Sequence, residues 1–126
     1  MKEITRKLLD KSEQSIAAAE HLLGDGYTEF AASRAYYAMF YTAESLLSEK
    51  GRRFRKHAGV HAAFGEHFAK TGALDPKFHR WLLDAFDKRV KGDYGVEEVL
   101  ARGDADTLIG QAREFLAASR QLLGES

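Results

Sequence analysis

Apolar residues dominate one stretch of the chain and predict a buried helix at the centre of a bundle. Between Phe30 and Leu47 only Arg34 and Glu44 carry a charge, and every other side chain there is Ala, Ser, Thr, Met, Leu, Phe or Tyr. A helix that is apolar nearly all round is usually covered by its neighbours. We therefore predict a central helix over residues 27–50. Arg34 is its exceptional residue, because a guanidinium keeps its charge and needs an acid, a phosphate or water.

Helical periodicity recurs on both sides of this stretch. Steps of three and four residues between apolar or small side chains predict four further helices, which are Lys2 to Leu23, His57 to Lys70, Asp75-Pro76 to Lys91, and Asp104 or Asp106 to Leu123. The run Gly92-Asp93-Tyr94-Gly95 is predicted to break the fourth helix, and residues 96–102 to be irregular or a short helical turn. The fold class is therefore all-α: an up-and-down bundle of four long helices plus a short extra helical segment, in a single domain over residues 1–126.

Composition narrows the functions open to this chain. Nineteen basic residues balance nineteen acidic ones, so any binding of nucleic acid must come from a local patch and not from overall charge. The lack of cysteine excludes disulfides, thiol catalysis and cysteine-bound metal sites. The opening MKEITRKLLDKSEQ has no apolar signal core, and no apolar run approaches the length of a membrane span. We therefore expect a cytoplasmic protein without membrane partners.

Two arginines stand where apolar residues are expected. Arg34 lies in the central helix, and Arg89 continues the apolar stripe of the fourth predicted helix. Two guanidiniums in one groove repel each other unless an acid or a ligand phosphate lies between them, and the planar fork of arginine suits phosphate. One interpretation is an anion-binding cleft between the second and fourth helices near Tyr37. The other is a structural role, in which the arginines are tied to Asp93 or to a glutamate at the edge of the bundle.

Histidines and a basic loop offer further candidates. His57 and His61 stand one helical turn apart, a spacing typical of metal ligands, but no third ligand accompanies them and we expect no metal. His57 is the best-placed acid–base group, because the cations of the preceding loop lower its pKa and favour its neutral form. That loop carries Arg52, Arg53 and Arg55 around one phenylalanine. It either contacts RNA phosphates or is a solvated surface loop.

Four segments of the chain carry a resemblance to a known family. The runs SRAYYAMFYTAESLL, KHAGV, FGEHF and RVKGDY, within residues 30–94, resemble the HEPN domain family of helical nucleotide-binding domains. The resemblance is to its small single-domain prokaryotic branch. It implies a helical bundle that is usually a homodimer. We expect no cofactor. Such proteins are often encoded beside a minimal nucleotidyltransferase in a toxin–antitoxin-like pair.

The resemblance also implies a chemistry. Many HEPN domains are metal-independent RNases with an R-x(4–6)-H motif, in which the arginine grips the phosphate and the histidine transfers a proton. In this chain the fifth residue after Arg89 is Tyr94, and a phenol is a poor general base at neutral pH. Arg52 and His57 do have the R-x4-H spacing, but they lie in the loop and at the start of the third helix. The candidate nucleotide- or RNA-binding residues are Arg34, Tyr37, Arg52, Arg53, Arg55, Arg89, Asp93 and Tyr94.

Three functions follow as alternatives. The leading one is a HEPN-type nucleotide- or RNA-binding protein that pairs with a nucleotidyltransferase, for which Tyr94 is the candidate modified residue. The second is a metal-independent RNase toxin, in which His57 or a dimer-related residue replaces the missing base and Arg89 grips the phosphate. The third is a catalytically inactive structural partner subunit, whose arginines are held in ion pairs of the core.

Overall fold

A computed structural model describes residues 1–94 and 100–125, apart from the side chain of Tyr94. The described residues form helices only, which are α1 (Glu3–Gly24), α2 (Thr28–Glu49), α3 (His57–Phe64), a π-helical turn (Gly65–Ala69), α4 (Lys77–Tyr94) and α5 (Arg102–Leu122). This confirms the predicted all-α fold class. Within the same two ranges, none of the helices combines the length and the hydropathy that a membrane span requires.

The first two helices form the predicted antiparallel hairpin. Gly26 takes a φ of +87° at the reversal, a left-handed conformation that glycine adopts without steric cost. The hydroxyl of Ser12 donates to the carbonyl of Ala38 at 2.8 Å, and that of Ser15 donates to the carbonyl of Arg34 at 2.7 Å. These small side chains let the two helix backbones approach closely, and their polar atoms are satisfied across the contact.

The second helix is the centre of the bundle, because it contacts each of the other four α-helices. Ala35 and Tyr36 are wholly buried in it. The prediction of burial nearly all round is wrong on one side, where Phe30 is 63% exposed and Tyr37 and Tyr41 are half-buried. Steps of seven and four residues place these three aromatic side chains on one face of α2. The described helices cover the other faces and leave this one partly open.

The third predicted helix is divided in two. It ends as an α-helix at Phe64 and continues as the π-helical turn, and not as one α-helix to Lys70. A Cβ added to Gly65 would lie 2.6 Å from the ring of His79, so glycine is needed where α4 crosses this segment. The ring of His79 also donates from Nε2 to the carbonyl of His61 at 3.1 Å. This crossing fixes the position of α3 against α4.

The fourth helix runs further than the sequence predicts. It passes through Gly92 and ends at Tyr94, where a break was expected after residue 91. Arg89 Nε lies 2.9 Å from Asp93 Oδ2 across one helical turn, and this ion pair favours the extra turn. The predicted irregular segment 96–102 lies largely outside the described residues, because the structure does not describe residues 96–99.

Two acidic residues contribute to helix starts. Asp75 caps α4 as predicted, since Lys77 N–H donates to its Oδ1 at 2.9 Å. The prediction that Asp104 or Asp106 is the N-cap of the last helix is wrong, because α5 begins at Arg102 and its N-cap is Ala101. The Asp104 carboxylate instead reaches back to accept Ala101 N–H at 3.2 Å.

Candidate functional site

The two unexpected arginines meet on one aromatic ring. The Cζ of Arg34 lies 4.7 Å from the centroid of the Tyr37 ring, and the Cζ of Arg89 lies 5.2 Å from the same centroid. Positions 34 and 37 share one face of α2, and the apolar stripe of α4 turns Arg89 toward that face. Each guanidinium is attracted by the negative face of an aromatic ring. The structure therefore brings together the three residues that the sequence placed in one cleft.

Asp93 neutralises part of this charge. Its ion pair with Arg89 joins side chains that are 26% and 18% exposed, respectively. The short distance identifies the pair, but the N–H of Arg89 Nε does not point at the carboxylate. That buried nitrogen has no hydrogen bond of acceptable geometry among the described residues. No carboxylate of residues 1–94 or 100–125 pairs with Arg34. The group formed by Arg34, Tyr37, Arg89 and Asp93 thus keeps a surplus positive charge.

His57 lies against the same ring. Its centroid is 5.7 Å from that of Tyr37, with the two planes at 86°, and it stacks on Phe40 at 4.3 Å. Burial lowers the pKa of His57, and the charge of Arg89 lowers it further. The sequence predicts this lowered pKa but attributes it to the wrong cations, those of the preceding loop. His57 is therefore a neutral imidazole at the ring that both guanidiniums contact. We call these five residues, Arg34, Tyr37, His57, Arg89 and Asp93, the Tyr37 cluster.

A second tyrosine holds His57 from inside the bundle. Tyr36 is wholly buried, and its hydroxyl lies 2.7 Å from His57 Nδ1 and 2.8 Å from His61 Nε2. Burial raises the pKa of Tyr36 and lowers the pKa of His61 to about 4, so both groups are neutral at pH 7. With Nδ1 engaged, Nε2 is the ring nitrogen of His57 that remains for other partners.

Sequence reasoning missed the role of Tyr36 and His61. Within an apolar helix Tyr36 resembles a simple core residue, and His57 and His61 have the spacing of metal ligands without a third ligand, which gives no hint of another partner. His57 and His61 do share a partner, which is the phenol of Tyr36 and not a metal ion. The described residues contain no group of three His, Cys, Asp or Glu side chains that could hold a metal ion.

The three loop arginines among the predicted site residues are not joined to the Tyr37 cluster. Arg52, Arg53 and Arg55 are exposed in the loop 51–56. Among the described residues, none of their side chains forms a hydrogen bond or an ion pair with the cluster. The side chain of Tyr94 lies outside the described part of the chain. The R-x4-H spacing of Arg52 and His57 is therefore not matched by a contact between them.

A separate cavity of about 460 Å³ lies between α1 and α5. Its arginines already have acidic partners, since Arg113 pairs with Glu20, and Arg120 lies 3.6 Å from Glu13. Paired charges of this kind offer little attraction for a further anion. The Tyr37 cluster is therefore the better candidate for binding a phosphate.

Comparison with known proteins decides the family. A family model described as the HEPN domain matches residues 5–122. The chain belongs to the HEPN family. This HEPN protein is 36% identical over 119 residues to a UPF0332 protein of Gloeobacter violaceus, with 94% of each chain covered. It is 34% identical over 113 residues to a UPF0332 protein of Thermotoga maritima, with 90% of this chain and 86% of that one covered. It is also 33% identical over 117 residues to a Methanocaldococcus jannaschii protein named "Putative toxin", with 93% of this chain and 80% of that one covered.

The match confirms the resemblance carried by the sequence motifs. In this HEPN protein Arg89 and His57 lie against the same Tyr37 ring, although they are far apart in the chain. Arg89 comes from α4 and His57 from the first turn of α3. The structure thus brings an arginine and a histidine from two different helices to one aromatic ring.

Proposed function

We propose that this HEPN protein is a toxin-like, metal-independent RNase that binds an RNA phosphate at Arg34 and Arg89 and uses His57 as its general base. One observation carries the proposal: a neutral imidazole and two guanidiniums lie against the single ring of Tyr37. The relative named as a toxin supports it. Of the three functions open to the sequence, the structure favours the second, because His57 lies beside Arg89.

The chemistry requires three parts. His57 Nε2 accepts the proton of a ribose 2′-hydroxyl, and the resulting oxygen attacks the adjacent phosphorus. The bond from phosphorus to the 5′-oxygen breaks, and that oxygen takes a proton from water, so the products are a 2′,3′-cyclic phosphate and a 5′-hydroxyl. The guanidiniums of Arg34 and Arg89 stabilise the negative charge that grows on the phosphate oxygens during this step.

Tyr37 supports the reaction by position. Its ring fixes both guanidiniums, and Phe30, which is 63% exposed on the same face of α2, is available for stacking with an RNA base. Single-stranded RNA is the expected substrate, because its bases are free to stack and its backbone fits an open surface.

The family resemblance predicts two protein partners for this activity. One is a second copy of the chain, and the other is a minimal nucleotidyltransferase that acts as the antitoxin. The toxin name of a relative is consistent with the second. Light scattering after size exclusion checks the dimer, and co-purification of a minimal nucleotidyltransferase from the native host checks the pair.

Cleavage of a labelled single-stranded RNA in the presence of EDTA tests the function. We expect wild-type protein to form cyclic-phosphate ends, and His57→Gln or Arg89→Met to lower the rate by about 100-fold or more. His67→Gln changes a half-buried histidine elsewhere, and Arg80→Met removes an exposed arginine of the same α4 helix, so both control variants should cleave like wild type. Failure of the wild type to cleave, or equal cleavage by all four variants, would refute the proposal.

A further inference from the structure

We propose that Tyr36 and His61 are positioning residues that set the tautomer of His57 and leave its outward nitrogen, Nε2, without a proton. The catalytic consequence rests on the proposed function of His57 as a base. The hydrogen-bond arrangement itself depends only on the three side chains and can be measured without RNA.

The donors and acceptors of the three groups allow two arrangements. The Tyr36 hydroxyl has one proton and two lone pairs, and each neutral imidazole has one N–H and one lone pair. The hydroxyl lies within hydrogen-bond distance of one nitrogen from each ring, at 2.7 Å and 2.8 Å. It can donate to only one ring, so it must accept from the other. Either Tyr36 donates to His57, or it donates to His61 and accepts the Nδ1–H of His57.

The charge beside His57 favours the second arrangement. Arg89 Cζ lies 5.2 Å and the His57 ring centroid 5.7 Å from the centroid of the Tyr37 ring, so a positive group is close to His57, and its charge lowers the pKa of that histidine. A cation attracts a lone pair and repels an N–H, and Nδ1 is already occupied by Tyr36. The lone pair of His57 is therefore expected at Nε2, and its proton at Nδ1.

The neighbouring groups keep the arrangement neutral. Among the described residues, the titratable and charged groups that face His57 are Tyr36 and Tyr37 of α2, His61 of α3 and Arg89 of α4. His61 resists protonation because it is buried and because the two neighbouring histidines, His57 and His79, disfavour its charge. A neutral phenol differs from the carboxylate that orients histidine in many active sites, since it orients the ring without making it more basic.

The tautomer decides whether His57 can act as a base. Only an imidazole with a free lone pair at Nε2 can accept a proton from a group in the cluster. If Nε2 carried the hydrogen, His57 could only donate there. Tyr36 and His61 would then influence the rate of proton transfer while leaving the residues that grip the phosphate in place.

Nitrogen NMR of protein labelled with ¹⁵N-histidine at pH 7.5 tests this directly. We expect the Nδ1–H tautomer of His57 in wild type. In His61→Phe the Tyr36 hydroxyl loses its other acceptor and donates to His57, so His57 should shift to the Nε2–H tautomer. Two control variants outside the hydrogen-bond chain, Tyr41→Phe and His67→Gln, should leave the tautomer of His57 unchanged.

A kinetic readout separates positioning from folding. In His61→Phe we expect kcat to fall about tenfold or more with KM within about twofold, because phosphate binding is untouched. His61→Gln keeps a side chain that can accept from Tyr36, so it should retain both the wild-type tautomer and most of kcat. This variant also keeps the test valid if His61→Phe does not fold.

Each result decides the matter. An Nε2–H tautomer in wild type, or an unchanged tautomer in a folded His61→Phe, overturns the inference. An unchanged kcat in that variant overturns it as well. If wild-type protein cleaves no RNA but His57 shows the Nδ1–H tautomer that His61→Phe shifts, the proposed function fails while the positioning role stands.

Discussion

Arg34→Met is the change that best separates a binding arginine from a structural one. The Arg34 guanidinium contacts the Tyr37 ring at 4.7 Å and has no carboxylate partner among the described residues. A cation–π contact at a partly exposed site contributes about 0.5–1 kcal/mol. The sulfur of methionine restores about 0.3–1.5 kcal/mol by contact with the same ring. The free energy of unfolding should therefore change by no more than about 1 kcal/mol, and the Tm by no more than about 4 °C.

Binding of RNA should respond much more than stability does. Each phosphate contact with a single strand contributes about 0.7 to the slope of log affinity against log salt. Loss of one contact should lower that slope by about 0.7 and weaken binding at 0.1 M salt by about fivefold. Fluorescence anisotropy of a short labelled RNA at several salt concentrations measures both quantities. A His57→Gln background prevents cleavage during the titration.

The matched control is Arg80→Met. Arg80 is exposed on α4, and at 3.6 residues per turn it lies on the opposite side of that helix from Arg89. The Arg80→Met substitution removes the same charge without changing any residue of the Tyr37 cluster. If Arg34→Met leaves the salt slope equal to that of the control, no phosphate binds at Arg34. If it lowers the Tm by more than about 10 °C, Arg34 is a structural residue and the reasoning from its exposed contact is wrong.

Three further results are expected. Because burial and a neighbouring cation lower the pKa of His57, the cleavage rate should stay constant as the pH falls to 6.5, the usual pKa of histidine, and should decline only at lower pH. A decline centred above about pH 6.5 would contradict this expectation. Because burial lowers the pKa of folded His61 to about 4, the unfolded protein binds a proton at His61 between pH 6.5 and 4 that the folded protein does not bind. The free energy of unfolding, measured by urea denaturation, should therefore fall as the pH is lowered from 6.5 to 4, and His61→Gln should reduce that fall. Gly65→Ala should destabilise the protein by about 1–3 kcal/mol, because the added Cβ meets the ring of His79. Gly110→Ala, which has open space around it in α5, should stabilise the protein by about 0.5–1 kcal/mol. Equal effects of the two variants on the denaturation midpoint would refute the crowding at Gly65.

Most of the helical order could be predicted because it is local. Periodic apolar residues predict each long helix, and Asp75-Pro76 predicts the start of α4. The errors arise where a distant contact overrides the local signal. The π-helical turn at Gly65 accompanies the crossing of His79, and α4 continues past Gly92 with the pair of Arg89 and Asp93 at its end.

The candidate site could be predicted only in part for the same reason. Arg34 and Arg89 stand out because charge on an apolar stripe is visible in the sequence. That His57 joins them depends on how α3 crosses α2 and α4, which no spacing along the chain encodes. Tyr36 and His61 were missed because a hydroxyl in an apolar run carries no signal of its partner, and a buried histidine pair resembles a metal site.

Two adjacent tyrosines divide the site into an inner and an outer layer, because consecutive residues of a helix point about 100° apart. Tyr36 turns into the bundle and holds His57 through its hydroxyl, while Tyr37 turns outward and holds Arg34 and Arg89 on its ring. The ring of His57 lies 5.8 Å from the first tyrosine and 5.7 Å from the second. Since α2 contacts all the other helices, any rotation that moved one layer would move the other and disturb the whole core. The proposed base and the proposed phosphate grip are therefore held in fixed relation before RNA binds, and such preorganisation is what catalysis by side chains alone requires.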